Sequence, residues 1–162
     1  MTDFIQTNRM NSELKLIEKE LDNLSFQTRY SRKDTAGIGK FLIFSHNLQR
    51  RHKGIGESAN SRDNPQIHDL LFAFCKKHVK IPFDIIQINK NYLTKPHTDS
   101  KNVGDQWIVG FGDYVGGEVF VENEKHNIQY NPLIFNGAKK THYTAPFEGK
   151  RYVIICYQNE RK

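Results

Sequence analysis

Ile85-Ile86-Gln87-Ile88-Asn89, His97-Thr98-Asp99 and Trp107-Ile108-Val109-Gly110-Phe111 follow one another between residues 85 and 111. The first and last runs are rich in β-branched and aromatic residues, so both predict strands. In extended chain, side chains at i and i+2 leave the same face, which lets His97 and Asp99 reach one metal ion from neighbouring positions. A distant histidine, His142, can close the triangle, and Arg151 follows it by nine residues on a β-type run. Two imidazoles and one carboxylate leave one face of an octahedral ion open. That open face suits a ferrous ion which must receive a bidentate co-substrate and dioxygen together.

The spacing alone proves little, because 7 histidines in 162 residues meet an aspartate two positions on by chance often enough. The surroundings carry the reading. Gly116-Gly117-Glu118-Val119-Phe120-Val121 and Leu133-Ile134-Phe135 add further short strands, and turn signals separate them. Such a series predicts a barrel or jelly roll, mainly β with flanking helices. Asp113-Tyr114-Val115-Gly116-Gly117-Glu118 reads as a tight hairpin reversing the chain between strands.

Residues from about Asp84 to Gln158 resemble the double-stranded β-helix core of Fe(II)- and 2-oxoglutarate-dependent dioxygenases. Within that superfamily they are most similar to the branch of the ten-eleven translocation and base J-binding proteins. The resemblance rests on Asn89-Lys90-Asn91, His97-Thr98-Asp99, Asn102-Val103-Gly104, Gly110-Phe111-Gly112-Asp113-Tyr114, and His142 with Gly149-Lys150-Arg151-Tyr152-Val153-Ile154-Ile155-Cys156-Tyr157-Gln158. It implies Fe(II) held by His97, Asp99 and His142, with 2-oxoglutarate and O2 as co-substrates. It implies that the distal carboxylate of 2-oxoglutarate is anchored by Arg151, whose planar fork matches a carboxylate. The hydroxyl residue the family often carries two positions later is replaced by Val153, so Tyr92 or Thr144 would supply the second donor. The branch oxidises the 5-methyl group of pyrimidines in nucleic acid, which implies 5-methylcytosine or thymine in DNA as substrate. Asn102 then matches a base-contacting amide and Tyr157 an aromatic on which an extruded base stacks. Asn159 stands where the pattern has a second base-contacting histidine, which leaves the identity of the base open.

Competing readings remain. A prolyl-type protein hydroxylase also uses His-x-Asp, a distant histidine and a basic anchor. A basic β-barrel that only binds nucleic acid would need no iron. A structural zinc site would want a fourth protein ligand, and no cysteine is placed to be one. No Walker lysine and no strand–GxGxxG–helix fingerprint occurs, so nucleotide hydrolysis and dinucleotide redox chemistry lack support.

The length and the 37% hydrophobic content predict one domain over residues 1–162. Residues 1–80 would give helical support and a basic loop region, and 81–160 the β core. Leu14, Ile17, Leu21 and Leu24 predict an amphipathic helix over about 12–24 that props the sheet. Asn64, Pro65 and the stripe Ile67, Leu70, Leu71, Phe74 predict a second, ending near His78. Phe41–Phe44 reads as a short strand, and the glycines and small polar residues of 54–61 as a mobile loop. Cys75 and Cys156 read as reduced core thiols. The net charge is +6, and Arg29, Arg32, Lys33, Arg50, Arg51 and Lys53 concentrate it in one stretch suited to a phosphate backbone. The expected partner is therefore nucleic acid, DNA foremost, with sequence selectivity either weak or supplied by a separate targeting protein. The sequence predicts no membrane span and no secretory signal, hence an intracellular protein of nucleus or cytoplasm, or of a host cell for a viral source. Oligomeric state is not legible.

Overall fold

The computed structural model describes residues 2–26, 38–45, 48–50 and 54–159. In chain order the elements are α1 (Thr2–Asp22), β1 (Ile38–Phe44), β2 (Leu48–Arg50), β3 (Gly54–Gly56), α2 (Ala59–Asp63), α3 (Pro65–His78), β4 (Ile85–Leu93) and β5 (Asn102–Phe111). Seven short or medium strands follow: β6 (Tyr114–Gly116), β7 (Val119–Val121), β8 (Glu124–His126), β9 (Leu133–Phe135), β10 (His142–Thr144), β11 (Phe147–Gly149) and β12 (Tyr152–Asn159). The architecture is mainly β with supporting helices, as the strand pattern predicts.

A five-stranded antiparallel sheet in the order β1-β4-β12-β5-β9 is the backbone of the fold. Period-two alternation gives it two unlike faces. On one face Leu42, Phe44, Ile86, Ile88, Trp107, Val109, Phe111, Tyr152, Ile154 and Cys156 meet Met10, Leu14, Ile17 and Leu21 of α1 and Leu71, Phe74 and Cys75 of α3 in one buried cluster. The other face presents Gln87 and Asn89 of β4, Gln106 and Ile108 of β5, and Val153, Ile155 and Tyr157 of β12 to a cavity. A smaller sheet, β10-β7-β8, lies across that cavity, and Val119 and Val121 from it pack with Ile108, Phe135 and Val153. These are the two sheets of a jelly roll.

Helix α1 extends further than the leucine spacing predicts. The stripe begins with Met10, one turn before Leu14, and the helix continues back to Thr2. At its other end Asp22 ties it to the sheet, accepting from Tyr152 Oη and Lys150 Nζ, each at 2.7 Å. Lys150 also reaches Glu18 at 2.9 Å. Helix α3 begins at Pro65 as expected, but Asn64 does not cap it with its side chain; Nδ2 donates to the Asn60 carbonyl instead.

Two further expectations are corrected. Residues 54–61 are not an unstructured loop: β3 pairs with β2, and Ser58 caps α2. The Ser58 hydroxyl donates to the Ile43 carbonyl at 2.9 Å, and Ser61 Oγ accepts from Ser45 N at 2.9 Å. These small polar residues satisfy the backbone where β1 ends, which is why they are buried and ordered. Residues 113–118 do not fold β6 back on β5. The glycines let β6 leave the large sheet and pair with β11, Gly116 opposite Phe147. A Cβ on Gly116 would lie 2.4 Å from the Pro146 carbonyl oxygen, and its φ of +83° favours glycine.

The Asp22 clamp generates a prediction. Burial opposes its charge, yet the hydrogen bonds from Lys150 and Tyr152 prevail and hold its carboxyl below the usual range. A depressed carboxyl stabilises the fold above its unfolded pKa, and that contribution fades as pH falls through the folded value. Asp22→Asn is expected to cost about 1 kcal/mol at neutral pH, discounted for partial exposure. Thermal melts of both proteins should show the gap closing in acid; a gap unchanged from pH 7 to pH 3 would contradict the clamp.

Candidate metal centre

His97 lies at an isolated bridge, outside the named strands. It exchanges two backbone hydrogen bonds with His142 at the start of β10, His97 N to His142 O at 3.1 Å and the reverse at 3.0 Å. This antiparallel pairing brings the two imidazoles to a centroid distance of 4.3 Å. Asp99 is fixed by its own backbone, whose N–H donates to the Gly137 carbonyl at 2.8 Å. Its Oδ2 lies 3.2 Å from His142 Nε2 and its Oδ1 3.7 Å from His97 Nε2. One ligand atom from each residue falls within 4.8 Å of the others, and among the described residues this is the only group of three so arranged.

The outer nitrogens set the chemistry. His97 Nδ1 meets the Lys95 carbonyl, and His142 Nδ1 meets the Lys140 carbonyl at 2.9 Å. A carbonyl only accepts, so each Nδ1 carries a proton, and Nε2 is the ring nitrogen turned toward the Asp99 carboxylate. With both Nδ1 atoms engaged by backbone, the two Nε2 atoms and one carboxylate oxygen are the atoms that would hold a metal ion. The donor set is two nitrogens and one oxygen, which suits Fe(II) with open positions. Sulfur is excluded as a fourth ligand. Cys75 and Cys156 sit on the opposite, core face with their Sγ atoms 3.3 Å apart, and burial followed by the Cys75 contact pushes the Cys156 thiol well up.

Arg151 is only 2% exposed, immediately before the central strand β12 and not on an edge. Its backbone is gripped by Asn91, whose Oδ1 accepts from Arg151 N at 2.8 Å and whose φ of +49° permits that reach. The guanidinium lies over the Tyr114 and Phe147 rings, at 5.5 and 5.4 Å from their centroids. Nη2 donates to the Gly117 carbonyl at 2.9 Å, while Nε is buried with no partner. Burial lowers its pKa, with Tyr114 and then Glu118 opposing, yet guanidinium stays charged. Gly117 makes the room: a Cβ there would meet Nε at 2.7 Å. No ion pair holds Arg151 among the described residues, and a buried cation with one neutral acceptor is matched to an incoming anion.

All nine site residues read from sequence on the β core line one cavity of about 400 Å³: His97, Asp99, His142, Arg151, Tyr92, Thr144, Asn102, Tyr157 and Asn159. Thr144 Oγ1 shares a hydrogen bond with Thr94 Oγ1 at 2.8 Å, and Tyr92 packs against Phe41. Asn102 and Asn159 are register partners across β5 and β12. Tyr157 Oη donates to Gln87 Oε1 at 3.1 Å, and Gln87 Nε2 donates to Asn89 Oδ1 at 2.7 Å. Gln87, Asn89 and Gln106 are cavity residues that motif reading missed. The signal was present in Ile86-Gln87-Ile88-Asn89, where alternation puts the amides on the face opposite the isoleucines. Of the basic stretch, Arg29, Arg32, Lys33, Arg51 and Lys53 lie outside the described residues, as does the side chain of Arg50 in β2.

No family model matches the chain, and no curated protein sequence does. Solved structures do. NgTET1 in complex with 5mC DNA aligns with a TM-score of 0.57 and 16% identity, over 96% of this chain and 68% of that one. A 2OG-Fe(II) oxygenase family protein from Burkholderia pseudomallei gives 0.52 and 12%, over 91% and 81%. A Pseudomonas putida prolyl-4-hydroxylase gives 0.53 and 11%, over 95% and 88%. The fold is that of the 2-oxoglutarate and iron(II) oxygenases. At this identity the likeness concerns architecture; the donor set concerns chemistry.

Asp99→Ala is expected to leave the circular dichroism spectrum unchanged and weaken Fe(II) or Mn(II) binding by at least about 100-fold in calorimetry, the upper range for losing even a supporting residue. Wild-type metal affinity in the variant would remove Asp99 from the centre.

Proposed function

We propose that this chain is an Fe(II)- and 2-oxoglutarate-dependent dioxygenase that hydroxylates the 5-methyl group of a pyrimidine in nucleic acid, with 5-methylcytosine or thymine in DNA as the substrate. The observation that carries it is a single cavity shared by a three-donor metal centre and a buried guanidinium lacking a protein carboxylate. Those are the two ends a short keto diacid requires. Iron, when bound, supplies oxygen activation coupled to decarboxylation of 2-oxoglutarate to succinate.

The chain's own residues do the rest. His97, Asp99 and His142 hold the metal from one side and leave the other open. Arg151 orients the distal carboxylate, with Tyr92 or Thr144 as the hydroxyl that shares it. Asn102, Tyr157 and Asn159 face the substrate, and Tyr157 offers a plane against which an unstacked base can rest. Its Oη is steered by Gln87, which fixes the ring. Ile108, Val119 and Phe135 supply apolar wall that excludes water from the reacting C–H bond.

Nucleic acid is favoured over a peptide by charge near the cavity. Lys95 and Lys140 stand two residues before the histidines, Lys101 two residues after Asp99, and Lys139 beside Lys140. All four are exposed, and no ion pair holds them among the described residues. Such cations beside the reacting centre suit a phosphate backbone. The structural likeness to NgTET1 with 5mC DNA agrees. Localisation in nucleus or cytoplasm, and a separate targeting protein, belong to the same reading.

The test is product analysis by mass spectrometry after incubation with Fe(II), 2-oxoglutarate and oxygen, using 5-methylcytosine DNA, thymine DNA, the matching RNA and prolyl peptides. Hydroxymethyl pyrimidine is expected; hydroxylated peptide with untouched nucleic acid would overturn the assignment. Replacing Lys139 and Lys140 together by Glu should weaken DNA binding about tenfold or more and flatten its salt dependence by roughly two phosphate contacts. Unaltered binding would move the contact surface elsewhere.

A further inference from the structure

Gln106 is 4% exposed, yet its carboxamide has no hydrogen-bond partner among the described residues. Its Oε1 is sealed from solvent and unpaired. Buried amides in folded proteins almost always pair, and here neither end does: Oε1 is sealed, while Nε2, unpaired but not among the sealed atoms, is the end a ligand can meet. Three observations fix where this amide lies. Gln106 is the register partner of Phe135 across β5 and β9, and the Phe135 ring meets His142 edge-on at 4.9 Å between centroids. A Cβ on Gly137 would come within 2.5 Å of Gln106 Oε1 and 3.2 Å of His142 Cε1, so the amide and the metal-binding edge of that imidazole share one small space. The residue also lines the cavity that holds the triad.

We propose that the Gln106 carboxamide donates a hydrogen bond to the metal-bound carboxylate of the 2-oxo acid, making it a co-substrate-binding residue beside His142. The inference rests on the proposed function, since it takes a 2-oxo acid as the ligand of the open metal positions. An N–H facing a cavity can only be matched by an acceptor, and an ionised carboxylate is the strongest acceptor such a site receives. Oε1 is the end packed where Gly137 has no side chain, which leaves the N–H end to the cavity that Gln106 lines. Arg151 recognises the far carboxylate by charge; Gln106 recognises the near one by a directed donor.

A purely structural glutamine would behave differently. Replacing an unpaired buried amide by an apolar group of similar size is near neutral or stabilising for a fold. Gln106→Leu and Gln106→Met therefore separate the two roles. Anaerobic calorimetry of 2-oxoglutarate and of pyruvate into the Fe(II)-loaded protein is the measurement, with metal affinity and melting temperature alongside. The expected result is an apparent Kd raised at least tenfold for both acids, with metal affinity and melting temperature kept. Pyruvate lacks the distal carboxylate, so an equal loss for both acids assigns the effect to the metal-bound end. A Kd within twofold of wild type in both variants overturns the role of Gln106. A loss seen with 2-oxoglutarate but not pyruvate overturns it as well, by moving the contact to the far carboxylate. Failure of the wild-type protein to bind either acid with metal overturns the proposed function and this inference with it, a result distinct from normal wild-type binding unaffected by the variants.

Discussion

The exchange of backbone hydrogen bonds between His97 and His142 is the constraint on which the site depends. Residues 45 apart in sequence become neighbours through two amide contacts, and their rings can then address one point. Each ring is also held from behind, because the carbonyl two residues earlier takes its Nδ1 proton. Backbone thus dictates both the orientation and the tautomer of the ligands. Asp99 enters the same arrangement through its bond to Gly137, whose missing side chain leaves space beside His142.

The sheet above this centre divides its labour by parity. Ile86 and Ile88 of β4 and Tyr152, Ile154 and Cys156 of β12 enter the helix-packed core, while Gln87, Asn89, Val153, Ile155 and Tyr157 face the cavity; past Asn91, with its φ of +49°, Tyr92 faces the cavity too. A strand that slipped by one position would exchange core and site, so hydrophobic packing of α1 and α3 enforces the cavity's polarity from a distance. The same logic places Tyr152 under α1, bonded to Asp22, and its neighbour Arg151 on the cavity side, bonded to Gly117. A buried cation stacked on two rings and short of acceptors is costly in isolation. Its presence beside a three-donor centre makes sense when a dianionic ligand bridges them.

Much of this was legible in the sequence, because short-range rules govern it. The i, i+2 geometry of His97 and Asp99, the stripe of α1 and the proline start of α3 are local. What escaped depended on partners far along the chain. Residues 54–61 look like loop material by composition, but Ser58 and Ser61 are ordered by the end of β1. The glycines at 116 and 117 look like a hairpin, but their conformation serves pairing with β11 and space for Arg151. Gln106 carries no motif at all; its meaning comes from Gly137 and His142 across the cavity. The basic stretch around Arg29–Lys53 falls largely outside the described residues, and the lysines beside the triad became prominent only once the triad had a geometry.

The central claim is one metal ion held by two imidazoles and one carboxylate with its remaining positions open. X-ray absorption spectroscopy of the Fe(II)-loaded protein addresses it directly. The account predicts a six-coordinate site of nitrogen and oxygen donors with the outer-shell scattering of two histidine rings and no sulfur. Four-coordinate scattering, any sulfur shell, or a spectrum without paired imidazoles would contradict it.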